Sequence, residues 1–143
     1  MKFASVNEPE MLTRENESAV CLSLELLGFE RIKHYALLSN PEEAPFFWLQ
    51  VADDASLAFL VIEPGLVAPD YQPDINDRDA ANLGLTKPED ALLFNIVTVR
   101  GTNQATVNLK GPIVINRHSR IGKQVVPDNA MEYSVRHPLP LEN

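Results

Sequence analysis

The residues able to act as acids, bases, nucleophiles or metal ligands are scattered along this 143-residue chain. Its histidines are His34, His118 and His137, and none has a second histidine or a cysteine at a spacing suited to zinc. Cys21 has no basic neighbour in sequence, so an ordinary half-buried cysteine is favoured over a nucleophile. Ser119 follows His118, but adjacency in sequence is not the geometry of a catalytic triad. The pattern therefore predicts neither a metal site nor a nucleophile.

Paired carboxylates are a second possible source of chemistry, because glycosidases use two carboxylates that face each other across a cleft. The pairs Glu42-Glu43 and Asp53-Asp54 both fall in predicted turns, where solvation of a polar turn explains them. The chain contains no nucleophile-elbow, dinucleotide-binding or P-loop motif. We therefore expect no enzymatic activity and no cofactor, and we expect the domain to act by binding.

Composition limits the classes of partner and compartment. The net charge of −8 opposes direct binding of nucleic acid, whose phosphates require a basic protein surface. Hydrophobic residues make up 45% of the chain, which is enough for a core, and no apolar run is long enough to cross a membrane. A single cysteine suits a reducing compartment, and the first residues lack the apolar core of a signal peptide. We expect a cytoplasmic protein without a nucleic-acid or membrane partner.

The elements that carry these residues are predicted to be short antiparallel strands. Residues 19–26 alternate between apolar and polar side chains, a pattern typical of a half-buried strand. Short β-branched and apolar runs between turn residues indicate further strands. These predicted strands cover residues 32–38, 46–51, 57–63 and 91–99, a pair within 105–115, and a run that resumes at 124–126.

A helix is predicted over residues 77–83. Asn76 or Asp77 can cap its N-terminus, and Gly84 stands just past its end. Residues 86–89 resemble a capping box with an early proline, which predicts one further helical turn. The chain therefore contains one or two short helices among many short strands.

The two ends of the chain are predicted to add little regular structure. A short strand is expected around Met11 and Leu12, a last strand over residues 131–136, and a tail over residues 138–143. Many short, evenly spaced strands indicate an antiparallel all-β architecture. We therefore predict a small antiparallel β-barrel-like single domain that spans residues 1–143, with one or two short helices.

The candidate binding residues come from two stretches. Residues 46–48 are three consecutive aromatics, so a strand must point at least one of them to the opposite face. A strand buried on both faces is favoured for Trp48, whereas a partly exposed aromatic would serve as an interface anchor. Tyr71 lies between prolines in a loop and is expected to be exposed at low entropic cost. The selected protein-contact residues are Asp70, Tyr71 and Asp74, with Phe47 and Trp48 as weaker anchors.

Several short motifs become specific when their order and spacing are taken together. They are Leu27-Gly28-Phe29-Glu30, residues 47–51, 57–62 and 95–99, Asp70-Tyr71, residues 106–116, Arg120, Gly122, Gln124-Val125 and Tyr133. With these motifs the chain resembles the FliW family of flagellar assembly factors over residues 22–137. Residues 1–17 match the family pattern poorly.

The resemblance implies a protein that binds other proteins. FliW-type proteins bind the RNA-binding translational regulator CsrA and also flagellin. Free FliW captures CsrA and relieves repression of flagellin messenger RNA, and cytoplasmic flagellin captures FliW and restores repression. For this chain the resemblance implies a CsrA-type regulator and flagellin as partners, a monomer when free, and a link between flagellin translation and export.

Beside the protein-binding module, two other function classes are considered: a small-ligand-binding or enzymatic domain, and a structural flagellar subunit. A small-ligand-binding or enzymatic β-barrel domain would show a lined pocket with strongly shifted titratable groups in one cleft. A protein-binding module would show a flat, partly apolar surface beside acidic loops. A structural flagellar subunit is disfavoured, because the chain lacks long terminal helices with a heptad pattern.

Overall fold

The computed structural model describes residues 18–140, which contain nine strands, one α-helix and several short 3₁₀ helices. The strands are β1 (Ser18–Glu25), β2 (His34–Ser39), β3 (Phe46–Val51), β4 (Asp54–Ile62), β5 (Ala91–Arg100), β6 (Gln104–Val107), β7 (Ile113–Asn116), β8 (Ile121–Gln124) and β9 (His137–Pro140). The α-helix is α1 (Asp77–Asn82), and the 3₁₀ helices are Pro41–Glu43, Pro64–Leu66, Pro88–Asp90 and Ala130–Glu132. The predicted all-β class is confirmed.

Seven of these strands close into a ring. They follow the order β4-β3-β2-β1-β8-β7-β5, and β5 pairs back with β4 at Val61–Ile96 and Ile62–Asn95. Strands β6 and β9 extend from β5 as an outer ribbon. All the pairs are antiparallel except β1 and β8, which run parallel. The parallel pair corrects the expectation of a purely antiparallel sheet. Strands β1 and β8 are far apart in sequence and are not joined by a hairpin, so they need not run in opposite directions.

Alternate residues of the strands fill the inside of the ring. In β1 the inward residues are Val20, Leu22 and Leu24, which are buried, and the residues between them face outward. The predicted alternation is therefore confirmed. On the other strands, Leu49 and Phe94 are fully buried in the same cluster. This core positions the strands whose outer faces are described below.

A covering layer packs on the outside of β5 and β7. Ala80 of α1 and Leu83 just after it join a buried cluster with the outward residues Leu93 and Val114. The side-chain amide of Asn116 donates to the carbonyl of Leu83 at 2.8 Å and ties the end of α1 to β7. The helix is therefore held against the ring by both apolar packing and a buried hydrogen bond.

The ends of α1 agree with the predicted signals. Asn76 caps the N-terminus, since its side-chain oxygen accepts a hydrogen bond from the backbone N–H of Asp79 at 2.8 Å. Gly84 adopts a φ of 68° just after the helix, in the left-handed region that glycine tolerates. The predicted further turn is the 3₁₀ helix Pro88–Asp90, and the carboxylate that caps it belongs to Asp90 and not to Glu89: it accepts hydrogen bonds from the backbone N–H groups of Thr86 and Lys87. Both short helices were therefore predicted correctly.

A third cluster covers the outside of the ring where β4 meets β5. It contains the buried residues Ile62, Tyr71, Val97, Val107 and Leu109. The segment after β4 and the β6–β9 ribbon supply most of this cover. The outer faces of β4 and β5 near their junction are thus buried by the chain itself.

The last strand predicted over residues 131–136 is wrong, and so is the predicted tail at residues 138–140, because strand pairing begins later than expected. The apolar alternation at residues 131–136 has no strand partner; the 3₁₀ helix Ala130–Glu132 starts there instead, with the Tyr133 N–H donating to the Ala130 carbonyl. Residues 137–140 form β9, which pairs with β6 despite two prolines. Prolines are tolerated in an edge strand, which β9 is in the described sheet.

Two strand boundaries also differ from the prediction. Strand β8 spans Ile121–Gln124, whereas a strand over 124–126 was expected; it pairs with β1 and β7 through residues that include Gly122. Strand β4 begins at Asp54 and not at the predicted residue 57, so only Ala52 and Asp53 form the turn after β3. The strand expected around Met11 and Leu12 lies outside the described residues.

Candidate protein-binding face

The outer face of β1–β3 and of the first part of β4 carries side chains that no described segment covers as α1 covers β5 and β7. Strand alternation places its residues opposite the buried inward residues of the same strands. We call this surface the open face. Its residues are Ala19 and Cys21 of β1, Ala36 and Leu38 of β2, Trp48 and Gln50 of β3, and Ala58 and Leu60 of β4. At its edge on β4, Leu60 packs against the third cluster and is half-buried.

The strand register arranges the open face as two rows across four strands. One row pairs Ala19 with Leu38, Leu38 with Trp48, and Trp48 with Leu60. The second row runs in the same way from Cys21 through Ala36 and Gln50 to Ala58. All eight residues are exposed or half-buried, and none carries a formal charge. The open face is therefore an uncharged, mostly apolar patch on a protein of net charge −8.

Trp48 is the largest side chain of the open face and is 36% exposed. The favoured expectation that this strand would be buried on both faces is wrong, because β3 has the ring interior on one side only. The exposed aromatic is the alternative that the sequence left open. Trp48 is therefore the one predicted anchor that lies on this face.

Phe47 points the other way, into the ring. Its ring lies edge-to-face against Phe94 with a centroid separation of 5.2 Å, and it packs on the inner core. Consecutive strand residues point to opposite faces, so Phe47 and Trp48 cannot both anchor one partner. In this structure Phe47 acts as a core residue.

The loop that carries Asp70, Tyr71 and Asp74 packs against residues 129–133. Tyr71 is 1% exposed, so the expected exposure of this side chain is wrong. Its hydroxyl donates to the carbonyl of Leu109 at 2.7 Å, and its ring packs edge-to-face on Tyr133. Burial raises the pKa of Tyr71 well above its ordinary value, because the ionised phenolate would lose its hydration.

Backbone groups of this loop form hydrogen bonds with side chains of residues 129–133, and these bonds hold the loop against that segment. The N–H of Asp74 donates to the Asn129 side chain at 2.8 Å, and the N–H of Gln72 donates to the Tyr133 hydroxyl at 3.1 Å. Asp70 is exposed, while Asp74 is half-buried. The predicted site residues therefore do not form a single site: Phe47 lies inside the ring, Trp48 lies on the open face, and Tyr71 lies in the third cluster.

Acidic residues lie at both ends of the open face. Glu42 and Glu43 are exposed in the connection before β3; Asp53 is exposed in the turn after β3, and Asp54 is exposed at the start of β4. Hydrogen bonds from the side chain and backbone of Ser56 lower the pKa of Asp54, which keeps it ionised at neutral pH. The open face is thus bounded by negative charge along the direction of β3.

The β1–β2 turn lies at the same end of the sheet as Asp54 and adds charges of both signs. Glu25 and Lys33 form an exposed ion pair at 2.8 Å, which lowers the pKa of the Glu25 carboxyl. The backbone N–H of Gly28 lowers the pKa of Glu30, and Arg31 is exposed beside it. The two acids of this turn balance its two bases, so Asp53 and Asp54 leave this end of the face acidic.

The structure also contains a groove, of about 470 Å³, between β1, β8 and the end of α1. Its two lysines are engaged by carboxylates: Lys33 pairs with Glu25, and Lys123 pairs with Asp79 at 2.7 Å. Within residues 18–140, no group of three His, Cys, Asp or Glu side chains is arranged to hold a metal ion. Lys33, Glu25, Lys123 and Asp79 are therefore paired with one another, and none of these four offers an unpaired charge to a ligand in the groove.

The most strongly shifted titratable groups lie outside this groove. Hydrogen bonds from the backbone and hydroxyl of Thr86, helped by His118 and Lys87, lower the pKa of Asp90 to about 2. Tyr71 is the other such group, in the third cluster. Each shift has a structural cause, and the two groups lie in different parts of the fold: Asp90 ends the 3₁₀ helix before β5, and Tyr71 packs on Tyr133. Of the features that separate the alternatives, the open face and its acidic ends match the protein-binding module.

Sequence reasoning missed most of the open face because it searched for aromatic residues. Ala36, Leu38 and Ala58 are ordinary strand residues and carry no signal of their own. The signal that could have identified them is the absence of charged side chains at the outward positions of four successive strands, within residues 19–21, 36–38, 48–50 and 58–60. These outward residues can be recognised as one surface only when the order of the strands in the sheet is known.

The fold and the open face define a small all-β protein built on a closed ring of strands. Comparison with known proteins agrees with this class. The family model described as "FliW protein" matches residues 6–139. The flagellar assembly factor FliW of Natranaerobius thermophilus is 36% identical over 141 residues, which cover 97% of this chain and 92% of the relative. That of Leptospira biflexa is 43% identical over 103 residues, covering 71% and 67%.

A solved structure extends the similarity to three dimensions. The crystal structure of the flagellar assembly factor FliW superposes with a TM-score of 0.74 at 37% identity and covers 82% of this chain and 84% of that one. The chain therefore belongs to the FliW family. Its curated relatives are named as assembly factors and not as enzymes. Among residues 18–140, no helix has the length and apolar character to span a bilayer.

Proposed function

We propose that this protein acts in flagellar assembly by binding other proteins, as an antagonist of a CsrA-type RNA-binding regulator that also binds flagellin. In this function, capture of the regulator relieves repression of flagellin translation. Flagellin that accumulates in the cytoplasm displaces the regulator and restores repression. The protein thereby links flagellin synthesis to export.

The observation that carries this proposal is the open face in a member of the FliW family. The face is uncharged and contains the partly exposed Trp48, a residue type that is enriched at protein interfaces. Acidic residues at its ends and the net charge of −8 favour a basic partner, as an RNA-binding protein is. The chain thus combines an apolar contact surface with a field that attracts such proteins.

Calorimetry tests the proposed partners directly. The purified protein is titrated with the CsrA-type regulator and with flagellin from the same genome, and then with flagellin in the presence of the regulator. We expect binding to both, with flagellin displacing the regulator. Binding to flagellin alone would contradict the antagonist function, and binding to neither would contradict the proposal as a whole.

The acidic charge also suggests how RNA binding would be opposed. A bound protein of net charge −8 places a negative field beside the RNA-binding surface of the regulator and repels phosphate without occupying that surface. Salt shortens the range of this field, so inhibition of RNA binding should weaken as salt is raised. Inhibition that persists at high salt while the two proteins remain bound would contradict the electrostatic mechanism.

A further inference from the structure

We propose that the open face binds a single amphipathic α-helix of a partner protein, which lies along β2 and β3 with its apolar stripe on the sheet and basic residues at both ends. This proposal rests on the proposed function only in assigning the face to a protein partner. It adds the form and the charge pattern of the segment that binds there.

The backbone of the open face indicates why the bound segment is a helix. Strand β2 is paired on both sides, with β1 and β3, and β3 is paired with β2 and β4. The middle of the face therefore offers side chains and no free strand edge. An extended segment laid across it would bury its own N–H and C=O groups without partners, whereas a helix satisfies these groups internally.

The side chains of the face suit the close approach of a helix. Ala36, Cys21 and Ala58 are small and form most of the second row, and Trp48 stands beside them in the first row. Strand β3 has six residues, so the face is about 20 Å long, which a helix of about 13 residues spans. The segment is therefore three to four helical turns long, by that estimate.

The charge pattern follows from the acids at the two ends. Glu42 and Glu43 lie before the first residue of β3, and Asp53 and Asp54 lie after its last residue. Because the face between them is uncharged, a helix with Lys or Arg at both ends places each basic group near an acidic pair. A helix with acidic ends would be repelled at both.

The same ring already binds a helix on its other side. There α1 and Leu83 pack on the outward residues Leu93 and Val114, and the small side chain of Ala80 faces the strands within the cluster. The open face presents the equivalent outward surface of neighbouring ring strands, and within residues 18–140 no helix covers it. Helix-on-sheet packing is thus a contact for which this architecture is already suited.

Two unique residues make the proposal measurable in the unmodified protein. Trp48 is the sole tryptophan and Cys21 is the sole cysteine of the chain, and both lie on the open face. Trp48 emission therefore reports burial of the first row. The rate at which Cys21 is alkylated, read by mass spectrometry of the peptide that contains it, reports burial of the second row.

The probe is a synthetic peptide of about 14 residues with leucines at i, i+3, i+4 and i+7, lysine pairs at both ends, and no Trp or Cys. We expect it to bind, to become helical by circular dichroism, to shift Trp48 emission to the blue, and to slow Cys21 alkylation. A peptide with the leucine positions scrambled and one with glutamate ends serve as controls and should not bind. Absence of binding by the basic amphipathic peptide, equal binding by either control, or binding without helix formation would overturn the proposal.

Substitutions locate the contact. Ala36→Glu places a charge in the middle of the face and should weaken peptide binding by more than about tenfold, because that charge would be desolvated under the apolar stripe. Thr98→Glu, on the exposed part of β5, is the matched control and should leave binding unchanged. Thermal unfolding of each variant shows that the fold is retained. Equal binding by the native protein and a folded Ala36→Glu variant would overturn the placement of the helix.

The acidic ends are tested separately. Glu42→Gln combined with Glu43→Gln should weaken binding of the lysine peptide about two- to fivefold at low salt, as expected for exposed ion pairs, and less at high salt. The control combines Glu89→Gln with Glu132→Gln, which are exposed acids elsewhere on the chain, and should have no effect. An equal effect from both double variants would contradict a role for the ends and leave only general attraction to a negative protein.

The natural partners distinguish failure of this proposal from failure of the proposed function. If the regulator or flagellin binds by calorimetry but leaves Cys21 alkylation unchanged, the function stands and the helix site is wrong. If neither binds but the lysine peptide protects Cys21, the site stands and the named partners are wrong. Protection of Cys21 by either protein supports both.

Discussion

The outer surface of the ring has two halves that differ in what covers them. On β5 and β7, outward residues such as Leu93 and Val114 are almost fully buried under α1 and the segment after it. On β2 and β3, the outward residues Leu38 and Trp48 remain partly exposed. Both halves are apolar, but only one half has its cover within the described chain. An apolar sheet surface without an internal cover is a surface suited to another molecule.

The two halves also differ in the size of their side chains. The covered half uses large aliphatic residues, which give more free energy when a cover removes them from water. The open half combines Leu38, Leu60 and Trp48 with four small residues, Ala19, Cys21, Ala36 and Ala58, and little apolar area is exposed at the small positions. The small residues limit the apolar area presented to water and leave room for a helix to approach the strands closely.

Removing the centre of the third cluster, which covers the β4–β5 junction, should give the largest loss of stability. Tyr71→Ala should lower the free energy of unfolding by about 3–5 kcal/mol, because a buried aromatic and its hydrogen bond to Leu109 are lost together. Urea unfolding measures this change. Tyr71→Phe should lose only about 1 kcal/mol, for the hydrogen bond alone. A small effect of Tyr71→Ala would mean that the loop is exposed after all.

A matched pair of leucines compares the two halves directly. Leu83→Ala, under the covering layer, should lower the free energy of unfolding by about 2–5 kcal/mol, because it leaves a cavity between α1 and the ring. Leu38→Ala, on the open face, should lower it by about 1 kcal/mol or less, because the side chain is already partly in water. Equal losses in urea unfolding would show that the two halves are covered alike.

The border between the halves lies at β8 and is tightly packed. A Cβ atom on Gly122 would stand 2.6 Å from the carbonyl oxygen of Val114 and 2.9 Å from the Leu24 side chain. Gly122→Ala should therefore destabilise the protein by about 1–3 kcal/mol, as overpacking does. Ile121→Ala, at a half-exposed neighbour on the same strand, is the control with a smaller expected effect. Thermal unfolding of both variants makes the comparison.

The smallest expected effect concerns the end of the covering segment and depends on pH. Asp90 has a pKa of about 2 when folded, which is below its ordinary value, so its ionised form stabilises the protein above about pH 4. This contribution is lost as the pH falls from about 4 towards 2, where the folded protein also binds the proton. Asp90→Asn should therefore be destabilising at neutral pH, and the difference from the native protein should shrink on acidification.

Urea unfolding at several pH values between neutral and acid measures this trend. Glu89→Gln, a neighbouring exposed acid, is the control and should change stability little at any pH. A difference between Asp90→Asn and the native protein that stays constant on acidification would show that the hydrogen bonds from Thr86 do not depend on the charge of Asp90.

Local patterns were sufficient for the elements and for the family. The alternation of residues 19–26, the cap at Asn76 and the glycine at position 84 each depend on neighbours in sequence, and each was predicted correctly. The order and spacing of short motifs over residues 22–137, of which residues 106–116 are the strongest, indicated the family that the comparisons show. Such features are read correctly because backbone geometry and periodicity act over only a few residues.

Exposure was decided by contacts between distant parts of the chain. Tyr71 lies between prolines, which predicted a presented side chain, yet Leu109 and Tyr133 bury it from 38 and 62 residues away. The strand at residues 137–140 exists because β6 lies beside it, although its own prolines predicted a tail. Pairing and burial of this kind join distant segments, so no local pattern could decide them.

The amino-acid sequence by itself determined an acidic all-β protein of the FliW family, with its helices and most of its strands. Only the tertiary structure decided that Phe47 fills the ring while Trp48, Leu38 and Ala36 share one open face. The physical reason is that a strand specifies which residues alternate, whereas ring closure and the covering layer decide which of the two sides meets water.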